Sequence, residues 1–205
     1  MQKTKDKIIL ASLKLFNEHG LANVRLQQIA DHIGISVGNL AYHFKTKEQI
    51  VLTVYEEMFS KYEHILQNYL KNPHLLDFDL QVSQFFEFFN DYRFYIADLF
   101  TNEHPFPEVQ EKWQVLINKL CIQIRKRLDF HVKKGDLIAA EPKVYDNLSQ
   151  TLLMQILFWI PQQEIMKKVV TASRYKETLW NNIQPYLTTQ GKGEFSKISF
   201  PEIYD

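Results

Sequence analysis

The sequence predicts an all-α chain, and three observations carry that prediction. Apolar residues recur at spacings of three and four along most of its 205 residues, the repeat of a helix with one buried face. No stretch alternates apolar and polar residues with period two, so no half-buried strand is expected. Only 6 glycines and 7 prolines interrupt the chain, few enough for a chain dominated by helix formers. A hydrophobic content of 45% is enough for a sizeable core.

The elements follow in order. A first helix is expected from about Lys5 to His19, with Ile9, Leu13 and Phe16 as its buried stripe and Gly20 as its stop. Its interruption by Lys14 marks an amphipathic helix and not a signal peptide. A short helix over Arg25 to His32 carries Leu26, Ile29, Ala30 and Ile33 on one face, and Gly34 supplies the positive φ that ends it. Ser36 caps a second short helix, Val37 to Phe44, with Leu40 and Phe44 inward. A long helix starts near Thr46 and reaches about Leu70, with Ile50, Val54, Met58, Tyr62 and Leu66 at four-residue intervals, before Asn72-Pro73 stops it. An aromatic helix is expected over about Phe78 to Phe100, and another over about Glu108 to Lys134, ending at Gly135. An apolar helix follows from Pro142 to Trp159, broken by Pro161, then a last helix from about Gln163 to Tyr186. The tail from Thr188 holds two glycines and is expected to be loosely held. The division is a three-helix head, 1–46, and a larger helical body, 47–205, with the helix from Thr46 running from one into the other.

Net charge is zero, which argues against a chain coated in nucleic acid. Its distribution is uneven. Residues 1–47 carry seven basic side chains against Asp6, Glu18 and Asp31, a net +4, and the remainder carries the opposite charge. A basic head on an acidic body suits a protein that meets phosphates with one end. No run of 18 or more apolar residues is present, so no membrane-spanning helix is expected. The single cysteine, Cys121, cannot close an internal disulfide and fits a reducing, cytoplasmic setting.

Residues 25–47, RLQQIADHIGISVGNLAYHFKTK, carry the functional signal. A short helix, a glycine-containing turn and a second helix with small polar groups outward is the layout of a DNA-reading helix-turn-helix. The same stretch resembles the TetR (tetracycline-repressor-like) family of bacterial transcriptional regulators. The resemblance rests on Gly20, Ile29-Ala30, Gly34-Ile35-Ser36, Gly38-Asn39-Leu40-Ala41-Tyr42-His43-Phe44 and Lys47-Glu48-Gln49-Ile50 at unbroken spacing. Two positions depart from the family pattern. Val24 stands where a capping threonine is common, which leaves the cap to another residue such as Asn23. Ala41 stands where a tyrosine often touches the DNA backbone, with Tyr42 beside it as a substitute.

The resemblance implies that the helix beginning at Ser36 enters the major groove. Val37 would press on a thymine methyl, Asn39 would bond adenine, and Gly38 would let the backbone approach closely. Gln27, on the preceding helix, would reach a base. Arg25, Ser36, Tyr42, His43 and Lys47 would hold phosphates. It also implies a homodimer on a palindromic double-stranded operator, formed by the last two helices through Leu148, Leu152, Leu153, Ile156, Leu157, Trp159, Ile165, Val169, Leu179 and Ile183.

The body is unusually aromatic. Phe85, Phe88, Phe89, Tyr92 and Tyr95 wrap round one predicted helix, with Trp113, Phe130, Phe158 and Trp159 able to face them. That pattern serves a core or a mostly apolar effector pocket. Seven histidines show no metal-ligand spacing, and no catalytic motif or phosphate-cradling loop is present. The expectation is therefore a ligand-responsive repressor with no cofactor, no metal and no catalytic residue. A constitutive regulator whose body only dimerises is the alternative.

Overall fold

A computed structural model describes residues 2–67, 74–95 and 106–200. Its described helices are α1 (Gln2–His19), α2 (Leu26–Ile33), α3 (Val37–His43), α4 (Lys47–Gln67), α5 (Leu75–Asp91), α6 (Pro107–Lys134), α7 (Pro142–Ile165), α8 (Ala172–Ile183) and α9 (Thr189–Phe195). Short 3₁₀ turns occupy Leu21–Asn23 and Gln184–Tyr186. The sole β feature among the described residues is an isolated bridge between Leu137 and Leu187. The chain is all-α, as its periodicity predicts.

Two compact units are distinguished. The first comprises residues 1–62 and 92–112. Its core is built largely from the predicted stripes: Ile9 and Phe16 of α1, Ile29 and Ala30 of α2, Leu40 of α3, and Ile50, Val54 and Met58 of α4 are buried, whereas the expected Leu13 is only half-buried and Ile8 takes a core position instead. Phe94 closes this core, with its ring centroid 5.9 Å from Phe16 and 5.5 Å from Tyr55. Its backbone N–H is received by Asn17 Oδ1 at 3.0 Å.

The second unit comprises residues 63–91 and 113–205. Its interior carries several buried polar side chains that find hydrogen-bond partners on neighbouring helices. Trp180 donates its indole N–H to Asp79 Oδ1 at 2.9 Å, and Lys176 Nζ lies 2.7 Å from Asp79 Oδ2. Arg127, 1% exposed, donates to Gln81 Oε1 at 3.0 Å and Asp77 Oδ2 at 3.2 Å, with Phe78 beneath its guanidinium. Two carboxamides grip the last turn of α4. Gln81 Nε2 donates to Ile65 O and Gln123 Nε2 to Leu66 O, each at 3.1 Å.

Five sequence expectations are corrected here. The aromatic helix ends at Asp91, and Tyr92 to Phe94 form a turn. The part of the predicted helix over 96–100 lies outside the described residues, as do Leu70 and Asn72-Pro73. Helix α7 runs through Pro161 to Ile165. A proline removes one backbone hydrogen bond, and the burial of Trp159 and Ile160 beside it holds the helix together. Residues 163–165 therefore belong to α7, and α8 starts only at Ala172, capped by Thr171, whose Oγ1 receives Arg174 N–H.

The tail is firmly held rather than loose. Ile138 N–H donates to Tyr186 O at 2.9 Å, Thr188 N–H to Asp136 O at 3.0 Å, and Thr188 Oγ1 to Gly135 O at 2.6 Å. Finally, most of the apolar residues expected to face a partner copy are buried within the chain itself. Leu148, Leu152, Leu153, Ile156, Leu157, Trp159, Leu179 and Ile183 are at most 7% exposed, whereas Ile165 and Val169 are 83% and 55% exposed. Periodicity marks a face to be covered and does not say which molecule covers it.

Beside the tail, His131 and Asp136 form a buried pair. His131 Nδ1–H donates to Asp136 Oδ2 at 2.7 Å, and Lys134 Nζ and Gln190 Nε2 complete the carboxylate at 3.1 and 2.8 Å. Burial holds the imidazole below the ordinary histidine range; Asp136 opposes this, and the charges of Arg127 and Lys134 add to it. The Nε2 atom is buried with no hydrogen-bond acceptor, so a second ring proton would be stranded. A depressed folded pKa means that the neutral ring supports the fold above the unfolded value of about 6.5, and that this support is lost as pH falls through the folded value. Urea unfolding at about pH 7.5 and about pH 5.5 should show lower stability at the acid value. His131→Gln should flatten that difference; an unchanged difference would assign it to another group.

Candidate nucleic-acid interface

The candidate site is the outward side of α2 and α3, both in the first unit. Helix α2 begins at Arg25, whose extended backbone sends its N–H to Gln28 Oε1 at 2.7 Å. Gln28 thus does the work expected of Asn23, which instead donates its Nδ2 to His19 O at the end of α1. Gly34 adopts φ 71°, ψ 36°, the left-handed turn that a side chain would strain. Gly34 N–H and Ile35 N–H return to Asp31 O and Ala30 O at 3.2 and 3.0 Å. Ser36 then caps α3, its Oγ receiving Asn39 N–H at 3.1 Å.

This geometry places Leu40 and Phe44 inward, 0% and 7% exposed. Gly38, Asn39 and Tyr42 are exposed, Tyr42 at 72%, and Val37 and His43 are half-buried. The His43 ring stands edge-on to Tyr42 at 5.3 Å, and its Nδ1 is buried without a hydrogen-bond partner among the described residues. Gly38 is informative because nothing inside the protein demands it. A Cβ there would meet only Ser36 Oγ, at 3.9 Å. Glycine within a helix costs about 1 kcal/mol relative to alanine, so its presence is not explained by the fold.

The first unit also presents basic side chains to solvent. Lys3, Lys5, Lys7, Arg25 and Lys45 are exposed, and Lys5 Nζ lies 5.7 Å from the Phe44 ring centroid. Lys47 is differently placed. Its ammonium donates to Leu21 O at 2.6 Å and Ala22 O at 3.4 Å, strapping the start of α4 to the 3₁₀ turn. Desolvation lowers its pKa, with Glu48 opposing. Thr46 caps α4 by receiving Gln49 N–H at 3.4 Å, while Gln49 Oε1 receives Lys45 N–H at 2.8 Å. On α2, Gln27 Nε2 donates to Asp31 Oδ1 at 2.7 Å. Asp31 was not among the sequence candidates; the signal for it is the i, i+4 Gln–Asp spacing.

The aromatic candidates divide. Tyr92 and Tyr95 belong to the first unit, and Phe85, Phe88, Phe89, Trp113 and Phe158 to the second. Phe89 packs against Phe85 and Phe88 at 6.3 and 5.0 Å, and these three with Trp113 are buried. Phe158 is half-buried and lines a cleft of about 640 Å³ on α7 and α8 with Gln150, Met154, Gln155, Trp159 and Thr178. No helix among the described residues is long and apolar enough to cross a membrane. No group of three or more histidine, cysteine or carboxylate side chains among them is arranged to hold a metal ion.

Comparison with known proteins agrees with this layout. The family described as bacterial regulatory proteins, tetR family, matches residues 8–54, and that described as bacterial transcriptional repressor matches residues 55–195. The uncharacterized HTH-type transcriptional regulator YerO of Bacillus subtilis (strain 168) is 34% identical over 115 residues, 54% of this chain and 39% of that protein. The HTH-type transcriptional repressor KstR2 of Mycolicibacterium smegmatis is 35% identical over 66 residues, 30% of this chain and 32% of that protein. The matched regions thus span only about a third of these curated relatives' length. Among solved structures, a TetR-family transcriptional regulator from Marinobacter aquaeolei VT8 superposes with a TM-score of 0.79 at 24% identity, covering 95% of this chain and 96% of that one. A SmeT–triclosan complex gives 0.65 at 18% identity, with 99% of both chains covered. These two likenesses speak for the fold. With both family descriptions matched consecutively over residues 8–195, the chain belongs to the TetR family of bacterial regulatory proteins.

Proposed function

We propose that this chain is a homodimeric transcriptional repressor that holds a palindromic operator through α3 and leaves it when a small apolar or aromatic effector binds the body. The observation that carries the DNA reading is the outward face of α3. It offers an uncapped-by-protein surface of Gly38, Asn39 and Tyr42, with a glycine that the fold does not need. Val37 and Asn39 read bases, Gly38 admits the DNA backbone or a base edge, and Gln27 reaches a base from the first turn of α2. Arg25, Ser36, Tyr42 and His43 hold phosphates, and Lys47 keeps one N–H for that task beyond its two carbonyls.

Gly38→Ala tests this reading through two measurements with opposite signs. Unfolding stability should rise by about 0.5–1 kcal/mol, while affinity for the selected duplex should fall. Affinity unchanged by that substitution would sink the placement of α3. Asn39→Ala should relax preference at one base position, costing about 1–3 kcal/mol there.

The effector site is proposed among Phe85, Phe88, Phe89 and Trp113 of the second unit. Support comes from a solved relative in fold bound to triclosan and from another, from Saccharomonospora viridis, in complex with choline. Dimerisation is proposed through α7 and α8, where Met154 of the cleft and Ile165 at the end of α7 are exposed, with Met166 and Val169 exposed in the connection that follows. An effector shifts the equilibrium only by its different affinity for the DNA-competent and incompetent states, and α4 is the proposed conveyor. Melting the protein against a library of apolar compounds separates this from a constitutive regulator, because a native-state ligand raises stability.

A further inference from the structure

We infer that Asp31 is a positioning residue for base recognition: it fixes the carboxamide of Gln27 so that Oε1 faces outward, selecting a base that offers an exocyclic amino group in the major groove. This rests on the proposed reading of the head and refines it. Gln27 and Asp31 are both exposed on α2, one turn apart, on the side opposite the buried Ile29 and Ala30. Gln27 Nε2 donates to Asp31 Oδ1 at 2.7 Å. A carboxylate only accepts, so the end of the glutamine facing Asp31 must be its amino group. A free glutamine turns either end to a base. It reads guanine by donating to O6 and N7, or adenine by accepting from N6. Held by Asp31, one amino hydrogen is already spent and Oε1 leads. Adenine N6 and cytosine N4 are the major-groove donors that satisfy it, whereas guanine O6 and thymine O4 meet it acceptor to acceptor. Asp31 thereby acts by exclusion as much as by attraction. It also places a negative charge beside phosphates, a general cost that neutral substitutes would remove.

The test is binding-site selection from random duplexes with the full-length chain and its variants. The wild type should favour adenine or cytosine over guanine at one position by roughly tenfold. Asp31→Ala should bring guanine to within about twofold there, a change of preference that loss of charge alone does not produce. Asp31→Glu, which keeps an acceptor one methylene further out, should keep the preference. Gln27→Ala should erase it, and Asp31→Ala added to Gln27→Ala should change it no further, as expected of residues acting through one contact. Equal strengthening on every duplex, with base preference intact in Asp31→Ala, overturns the inference and leaves Asp31 a mere charge. A wild type that selects no motif at all overturns instead the reading of the head as a sequence-specific DNA binder. Urea midpoints for each variant check that the head remains folded.

Discussion

Gly191→Ala is expected to be among the most destabilising single-methyl additions this chain can receive. Gly191 sits in the first turn of α9, buried against the backbone of the α6–α7 corner. A Cβ there would lie 2.9 Å from the Asp136 carbonyl carbon and closer still to its oxygen, with Leu187 Cδ2 at 3.1 Å. The obstructing atoms are main chain. They cannot rotate away as a side chain would, so α9 must lift. Lifting it breaks the bonds that tie the tail down: Thr188 to Gly135 and Asp136, and Gln190 to Lys134 and Asp136. Overpacking a rigid site costs about 1–3 kcal/mol and sometimes more. With the clasp lost as well, a fall of about 3 kcal/mol is expected. Urea unfolding at fixed protein concentration measures it. Gly193→Ala is the control; nothing lies within 4 Å of a Cβ at that position, so it should be neutral or stabilising by up to about 1 kcal/mol. Equal losses at both positions would mean that the close approach is not the cause.

Arg127→Met is expected to cost nearly as much by a different route. The side chain is 1% exposed and bonds Gln81 and Asp77. Methionine fills much of the volume but leaves Gln81 Oε1 buried without its donor and Asp77 without its counter-charge. Removing one partner of a buried ion pair costs about 3–5 kcal/mol. Asp77 is 20% exposed and recovers some hydration, so about 2–4 kcal/mol is expected. Adding Asp77→Asn should recover part of that loss, because the stranded charge is then gone. No recovery would show that packing against Phe78 was the larger contribution. Gln81 also holds Ile65 O of α4, so hydrogen exchange should quicken in the last turn of α4 in the single variant.

The head was legible because its signals are local. Gly34 and Ser36 announce a turn and a cap through their own backbone chemistry, and Leu26, Ile29, Ala30 and Leu40 fall at the helical repeat. Where a local rule had a competitor, reading failed. Helix α7 passes Pro161 because buried neighbours hold it, and it ends with Lys167 at φ 54°, a left-handed position at which no glycine gives warning. The end of the aromatic segment at Asp91 was masked, since the aromatic periodicity continues past the turn-prone pair Asn90-Asp91.

The order of the helices as far as α8, the helix-turn-helix spacing and the family followed from the sequence alone, because caps, turns and periodicity act between residues a few positions apart; α9, which stands where a loose tail was expected, did not. Tertiary structure decided which apolar faces the chain covers for itself, how Arg127, Asp79 and His131 are satisfied in the interior, and that the tail is clasped around Gly191. His131 finds Asp136 only five residues on, but Arg127 and Trp180 depend on Gln81 and Asp79, 46 and 101 residues away, and no local pattern encodes which distant group will arrive.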